Sequence, residues 1–220
     1  EFVHPHKNCV VTQREVGLDT DSWEAALKNT LRQAPDVILI GEIRDQATMS
    51  AALAYAQSGH LCLATLHANN SYQALNRILS FYPVEVRPTM LGDLAAALRA
   101  IVSQRLLRTT TGGRLPAVEV MLNTQLVSEL IAKGDFLGVK DAMEKALAEG
   151  SQTFEQDIAR LIHTGQVQRD EGLAHADSPS NLLWRLENDF GARPAAATAP
   201  HEDPDDEPSF TEITLDVQPS

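Results

Sequence analysis

The chain has 220 residues, of which 43% are apolar and 22% charged, and its formal net charge is −12. This length allows one substantial core with appendages, in a composition that is ordinary for globular proteins. The acidic balance argues against nucleic-acid binding. No stretch reaches 18 consecutive apolar residues, so the sequence predicts neither a membrane-spanning helix nor a signal peptide.

The first residues contain few structural signals. Residues 9–11 form a short apolar run that predicts a strand. The chain opens at Glu1 without a methionine and as if inside an element, so we expect a product that is shortened at its N-terminus. Residues 19–22 offer several N-caps for a helix from Trp23 to about Leu31, which ends before Pro35.

Residues 31–45 read L-R-Q-A-P-D-V-I-L-I-G-E-I-R-D. The uninterrupted apolar run at 37–40, bounded by Pro35-Asp36 and Gly41, predicts a strand buried on both faces of a parallel sheet. In open α/β sheets, ligands bind outside the carboxyl ends of the strands. Glu42, which stands at that end, is therefore the first candidate for chemistry. The alternative is that it is a solvated acid in a strand-to-helix turn.

A second strand is predicted at residues 61–66, after a helix over about 46–58 that Asp45 caps and Gly59 ends. A strand, a helix of this length and a strand form a right-handed crossover unit with parallel strands. The carboxyl ends of both strands then lie on one edge of the sheet. We therefore expect Glu42 and His67 to share that edge.

The histidines also allow a metal-site hypothesis, which the spacing disfavours. His60 and His67 are separated by seven residues of extended chain, or about 23 Å, too far to bind one ion. For His60, a hydrogen-bonded turn residue is the alternative to any functional role. Cys62 lies in the second apolar run and is expected to be a buried free thiol, which favours a reducing compartment.

The run ending G-E-I-R-D resembles the Walker B element of the type II/IV secretion ATPases, the hexameric motors of secretion and type IV pili. The segment G-H-L-C-L-A-T-L-H-A-N-N resembles the His box of that family. The flanking stretches resemble its pilus-retraction branch, the PilT and PilU group, and the C-terminal half is closer to the PilU side. The resemblance implies an α/β fold, namely the C-terminal part of a RecA-like P-loop ATPase core with an appended C-terminal helical region.

The resemblance also implies roles for individual residues. Glu42 would act through the metal shell or on the lytic water, Glu1 would be the general base, and His67 would sense phosphate. The residues that it places in nucleotide binding or subunit coupling are His60, Arg14, Arg44 and Thr65. No residue is expected to ligate metal directly.

The implied cofactors are ATP and Mg, and the implied assembly is a homo-hexamer or a mixed hexamer with a related pilus ATPase. It would work on an inner-membrane pilus platform protein at the cytoplasmic face of that membrane. The pattern G-x-x-x-x-G-K-[S/T] of a phosphate-binding loop is absent, and none of the five lysines follows a glycine. We therefore expect negligible ATP binding by these 220 residues alone. A non-catalytic accessory subunit of a mixed hexamer is the alternative function.

The second half of the chain is predicted to be mostly helical. Ser71 is predicted to cap a helix, and a longer helix is predicted at about 88–107, with Arg99, Arg105 and Arg108 near its end. A turn at 109–114 precedes a strand at 117–122. Three further helices are expected to end at Gly134, Gly150 and Gly165. A last helix is expected to end near residue 190. This predicts an ATPase part at 1–122, a helical region at 123–190 and a disordered acidic tail at 191–220.

Overall fold

The computed structural model describes residues 3–145 and 148–188, except for the side chains of Glu24 and Leu31. Glu1 and the predicted tail at 191–220 lie outside the described residues. The helices are α1 (Trp23–Thr30), α2 (Gln46–Gln57), α3 (Ser71–Ser80), α4 (Arg87–Ala97), α5 (Gln125–Ala132), α6 (Phe136–Glu144), α7 (Phe154–His163), α8 (Arg169–His175) and α9 (Pro179–Asn188). The strands are β1 (Val37–Ile40), β2 (Leu61–Ala64), β3 (Ala100–Arg108) and β4 (Arg114–Leu122), and Leu31–Gln33 and Val84–Val86 are short 3₁₀ turns.

The predicted crossover unit is confirmed. β1 and β2 are parallel neighbours, with Val37 opposite Leu61, and α2 connects them. The carboxylate of Asp45 caps α2 by accepting a hydrogen bond of 2.8 Å from the backbone N–H of Thr48. Gly59 has a φ of 93°, the left-handed conformation in which glycine avoids the steric cost of a Cβ, so the chain reverses there toward β2.

The prediction that β1 is buried on both faces is wrong. Ile38 and Ile40 are buried, but Val37 and Leu39 are 50% and 61% exposed. Leu61 and Leu63 of β2 continue the same exposed face at 52% and 48%. Among the described residues, helices cover only the opposite face of this two-stranded sheet. We call the four exposed side chains the open sheet face.

The predicted long helix at 88–107 is also wrong. α4 ends at Ala97, where Leu98 takes an extended ψ of 139°, and the chain continues as β3. β3 pairs with β4 in an antiparallel hairpin, with Ala100 opposite Leu122 and Arg108 opposite Arg114. Over so short a run, the apolar spacing of residues 98–107 fits both the helical and the strand period, and cross-strand pairing with β4 decides between the two structures.

Smaller differences concern the ends of elements. Residues 9–11 form no strand, and β2 ends at Ala64 rather than at residue 66. Asn70 rather than Ser71 is the N-cap of α3, because its side-chain oxygen accepts the N–H of Gln73 at 2.8 Å. The sequence did not predict α8. Gly134 and Gly165 have positive φ just past the ends of α5 and α7, as predicted. The helix predicted to end at Gly150 instead ends at Glu144, and Gly150 has its positive φ in a later turn.

The buried apolar side chains form two clusters. The first cluster contains β1 residues and side chains from α2 to α6, with Leu75, Leu94 and Ile131 at most 1% exposed. The second, which we call the second core, lies between the β3–β4 hairpin and α7–α9. Its buried members are Leu107, Ala117, Phe154, Ile158, Ala159, Leu161, Val167 and Leu182.

Candidate functional site

The carboxyl ends of β1 and β2 lie side by side. Past the strands, the backbone N–H of Ile43 donates to the carbonyl of Thr65 at 3.0 Å. The hydroxyl of Thr65 also donates to the carbonyl of Gly41. These bonds hold together the two segments that follow the strands. As a result, Oε1 of Glu42 lies 3.0 Å from Nε2 of His67, on the shared edge that the sequence predicts.

Glu42 is held in its ionised form. Nε of Arg44 donates to its Oε2 at 2.5 Å, and the guanidinium forms an ion pair with the same oxygen. This hydrogen bond, followed by the positive charges of Arg44, His67 and Arg77, lowers the pKa of Glu42 below its ordinary value. The Glu42 side chain is 20% exposed, whereas those of Arg44 and His67 are 77% and 87% exposed. The Glu42 carboxylate is therefore less exposed than the two nitrogen-containing side chains that it contacts, Arg44 and His67.

The other predicted site residues lie apart from this carboxylate. His60 precedes β2, at the opposite end of the strand from His67, and its Nδ1 lies 3.0 Å from Oγ of Ser58. Arg14 is exposed in the irregular segment before α1. No hydrogen bond or ion pair joins Arg14 to Glu42 within residues 3–145 and 148–188. The predicted general base, Glu1, lies outside the described residues.

Arg77 is a residue of this site that the sequence did not predict. It lies on α3, exposed, and its charge contributes to the lowered pKa of Glu42. Its guanidinium also lies over the ring of Phe81, 5.2 Å from the centroid. An arginine in a helix gives no local signal of a site. Only the placement of α3, which follows the His67 loop, could have indicated it.

The donor set can be compared with the needs of magnesium. Mg²⁺ is usually held by one or two carboxylates together with waters and substrate phosphates. Glu42 is an ionised, partly exposed carboxylate, which is the chemical character of such a ligand. Among the described residues, no three His, Cys, Asp or Glu side chains come together as a metal cage.

Within the part of the chain that the structure describes, no helix combines the length and apolar character that crossing a bilayer requires.

Comparisons with known proteins identify relatives of this chain. The model of the family described as "Type II/IV secretion system protein" matches residues 4–114. The chain is 52% identical over 183 residues to the type IV pilus ATPase PilU of Pseudomonas aeruginosa, which covers 83% of this chain and 48% of that protein. It is 34% identical over 182 residues to the type IV pilus retraction ATPase PilT of the same organism, covering 83% of this chain and 53% of PilT.

Solved structures are similar as well. The pilus retraction motor PilT with bound ADP matches with a TM-score of 0.73 and 34% identity, over 80% of this chain and 50% of that one. The ATPase DotB of Yersinia pseudotuberculosis matches with a TM-score of 0.69 and 26% identity, over 76% of this chain and 43% of that one. The expected α/β fold of a RecA-like ATPase core with an appended helical region is confirmed. The chain spans about half the length of the curated relatives it matches. It belongs to the type II/IV secretion system protein family.

Proposed function

We propose that the chain supplies the residues that carry out ATP hydrolysis in a type IV pilus retraction motor. In this proposal, the complete gene product is an ATPase that works as a hexamer, either with itself or with a related pilus ATPase. It acts on a pilus platform protein at the cytoplasmic face of the inner membrane. Residues 1–122 belong to the ATPase part and residues 123–190 to a helical region. The pilus ATPases to which the chain is similar support the proposal.

One observation carries the assignment. An ionised glutamate and a histidine that follow two adjacent parallel strands are in contact at the edge where α/β sheets bind their ligands. Glu42 has the charge to orient a water for attack on a phosphoanhydride. His67, largely exposed and 3.0 Å away, can donate a proton or hydrogen bond to a phosphate oxygen. Arg44 and Arg77 add positive charge at the position where negative charge develops during phosphoryl transfer.

Nucleotide binding needs a group that these 220 residues do not contain. Glu42 would hold magnesium through its water shell, and the ion would supply positive charge that neutralises the phosphates. The phosphate-binding loop would come from another part of the gene product or from a partner subunit. His60, Arg14 and Thr65 would contribute to nucleotide binding or to coupling between subunits. In this arrangement, Glu1 would be the base that polarises the attacking water.

The test replaces Glu42 with glutamine in the complete gene product. Glutamine keeps the shape of the side chain and a hydrogen-bond acceptor but cannot carry the negative charge. We expect ATP turnover to fall by about 10²–10⁴-fold, the usual contribution of acid–base groups, while nucleotide affinity is retained. Phosphate release measures turnover, and fluorescence of a labelled nucleotide measures binding.

Glu85→Gln is the matched control, because Glu85 is an exposed acid in the turn Val84–Val86. It should leave both quantities unchanged. Normal turnover by the Glu42→Gln variant would refute the catalytic assignment. A wild-type gene product without turnover, which restores activity only when mixed with a related ATPase, would instead support the accessory-subunit alternative.

A further inference from the structure

The loop that carries His67 is held at its far end by the C-terminal half of the chain. Residues 65–70 connect β2 to α3, and His67 lies near their middle. The side-chain nitrogen of Asn70 donates to Oδ2 of Asp177 at 2.8 Å, while its oxygen caps α3. The backbone N–H of Ser71 donates to Oε1 of Glu119 at 2.7 Å. One asparagine therefore fixes the start of a helix and contacts a residue 107 positions later in the sequence.

Arg105 of β3 completes this junction. Its guanidinium donates to the carbonyl of His175 at 2.6 Å and to that of Asn69 at 3.2 Å. It also forms an ion pair with Asp177 and lies over the ring of Phe154, 4.0 Å from the centroid. The planar, multiply donating guanidinium suits such simultaneous contacts, which lysine could not reproduce. A single side chain thereby joins the His67 loop, the hairpin, α7 and the segment between α8 and α9.

The ion pair is largely shielded from water. The side chains of Arg105 and Asp177 are 18% and 22% exposed. Removing one partner of such a pair leaves the other charge poorly compensated, so each partner fixes the position of the other. Asp177 in turn precedes α9, whose Leu182 is fully buried in the second core. The position of Asp177 therefore follows the packing of α7–α9.

His67 depends on the ends of its loop. The His67 side chain is 87% exposed, so little packing holds it in place apart from its contact with Glu42. Thr65 anchors one end of the loop to Gly41, the residue just after β1. Asn69 and Asn70 anchor the other end to Arg105 and Asp177. A movement of α7–α9 would displace the second anchor while the first stays in place. The imidazole would then move relative to the Glu42 carboxylate.

We propose that Arg105 and Asp177 are a positioning pair that couples the C-terminal helices to His67. The effect on ATP hydrolysis rests on the proposed ATPase function, whereas the mechanical link between the C-terminal helices and His67 does not depend on it. In the motor, rearrangement of the helical region would change the alignment of His67, and hydrolysis would in turn move the helices. Neither Arg105 nor Asp177 contacts Glu42 or His67, so their effect on the reaction passes through the loop.

The test compares Asp177→Asn with Asp157→Asn in the complete gene product. Asp157 is the matched control, because it also forms an ion pair, with Arg160, and accepts a backbone N–H from the hairpin, but it does not contact residues 65–71. Hydrogen–deuterium exchange without nucleotide measures the link. We expect exchange at residues 65–72 to accelerate at least tenfold in Asp177→Asn and less than twofold in Asp157→Asn. Equal acceleration in the two variants would overturn the proposal.

A second variant covers the possibility that Asp177→Asn fails to fold. Asn70→Ser keeps an oxygen that can cap α3 but removes the amide nitrogen that donates to Asp177, and the serine hydroxyl is one bond too short to replace that contact. The same acceleration should therefore appear without any change in α7–α9. Unchanged exchange in a folded Asn70→Ser protein would overturn the link. In kinetic assays, Asp177→Asn should lower kcat several-fold at constant KM for ATP, with partial recovery in Asp177→Glu.

A raised KM with unchanged kcat would instead show a role in nucleotide binding and would contradict the coupling. Because exchange is measured without nucleotide, it can fail while Glu42→Gln still abolishes turnover. Conversely, it can succeed if the proposed function itself is wrong. The two proposals are therefore tested separately.

Discussion

Replacing Phe154 with alanine tests whether one aromatic ring holds the second core together. The ring is 0% exposed and lies at the start of α7, against the β3–β4 hairpin. Deletion of a fully buried phenylalanine side chain costs about 3–5 kcal/mol, because the apolar contacts are lost and a cavity remains. We expect the upper half of that range, since the ring also supports the guanidinium of Arg105 at 4.0 Å.

Amide hydrogen exchange along α7 measures this change locally, in the complete gene product. Each 1.4 kcal/mol corresponds to a tenfold change in an opening equilibrium, so a loss of about 4–5 kcal/mol should accelerate exchange in α7 roughly 700- to 4,000-fold. Trp184→Ala is the control, because this large side chain is 59% exposed on α9 and its loss should cost no more than about 0.5 kcal/mol. If exchange in α7 is the same in both variants, Phe154 does not hold the second core and the reasoning is wrong.

Two further predictions concern packing and charge. Gly172→Ala should destabilise the protein by about 1–3 kcal/mol in denaturant titrations despite the better helix propensity of alanine, because the new Cβ would lie 2.6 Å from Cδ1 of Ile162. Gly92→Ala in α4 should stabilise it by about 0.5–1 kcal/mol, since no atom lies within 4 Å of its added Cβ. Burial raises the pKa of Glu119, so its contribution to stability is complete at acidic pH and is lost as the pH rises through its folded-state pKa. Glu119→Gln keeps an acceptor for the N–H of Ser71 but does not ionise. Its melting temperature should therefore exceed that of the wild type by an amount that grows as the pH increases from 4 to 8.

Clear outcomes would contradict these two predictions. Equal stability changes in the two glycine variants would show that α8 does not pack tightly on α7. A melting temperature of Glu119→Gln that falls below that of the wild type as the pH rises would show that the carboxylate is stabilised, rather than penalised, by its surroundings.

The sequence predicted the part of the fold that local signals determine. Asp45 and Gly59 mark the two ends of α2, and a helix of that length between two apolar runs leaves few alternatives to a parallel pair. The contact of Glu42 with His67 follows from that pairing. The assignments of catalytic and coupling roles to site residues remain predictions.

The sequence could not predict features that depend on distant partners. Residues 98–107 alternate in a way that also fits a helix, and their strand conformation depends on pairing with β4. The ion pair of Arg105 with Asp177 joins positions 72 apart, which no spacing rule connects. Arg77 belongs to the site only because α3 follows the His67 loop and brings its charge near Glu42.

The open sheet face leaves a quantity of unburied apolar surface that can be expressed as free energy. Its four side chains are each about half exposed, and full burial of such a side chain contributes about 1.5–3 kcal/mol. The half that is still in contact with water therefore amounts to roughly 3–6 kcal/mol in total. That quantity is comparable to the entire net stability of a small domain, about 5–15 kcal/mol. An apolar layer placed over this face would supply free energy on the scale that separates a folded chain from an unfolded one.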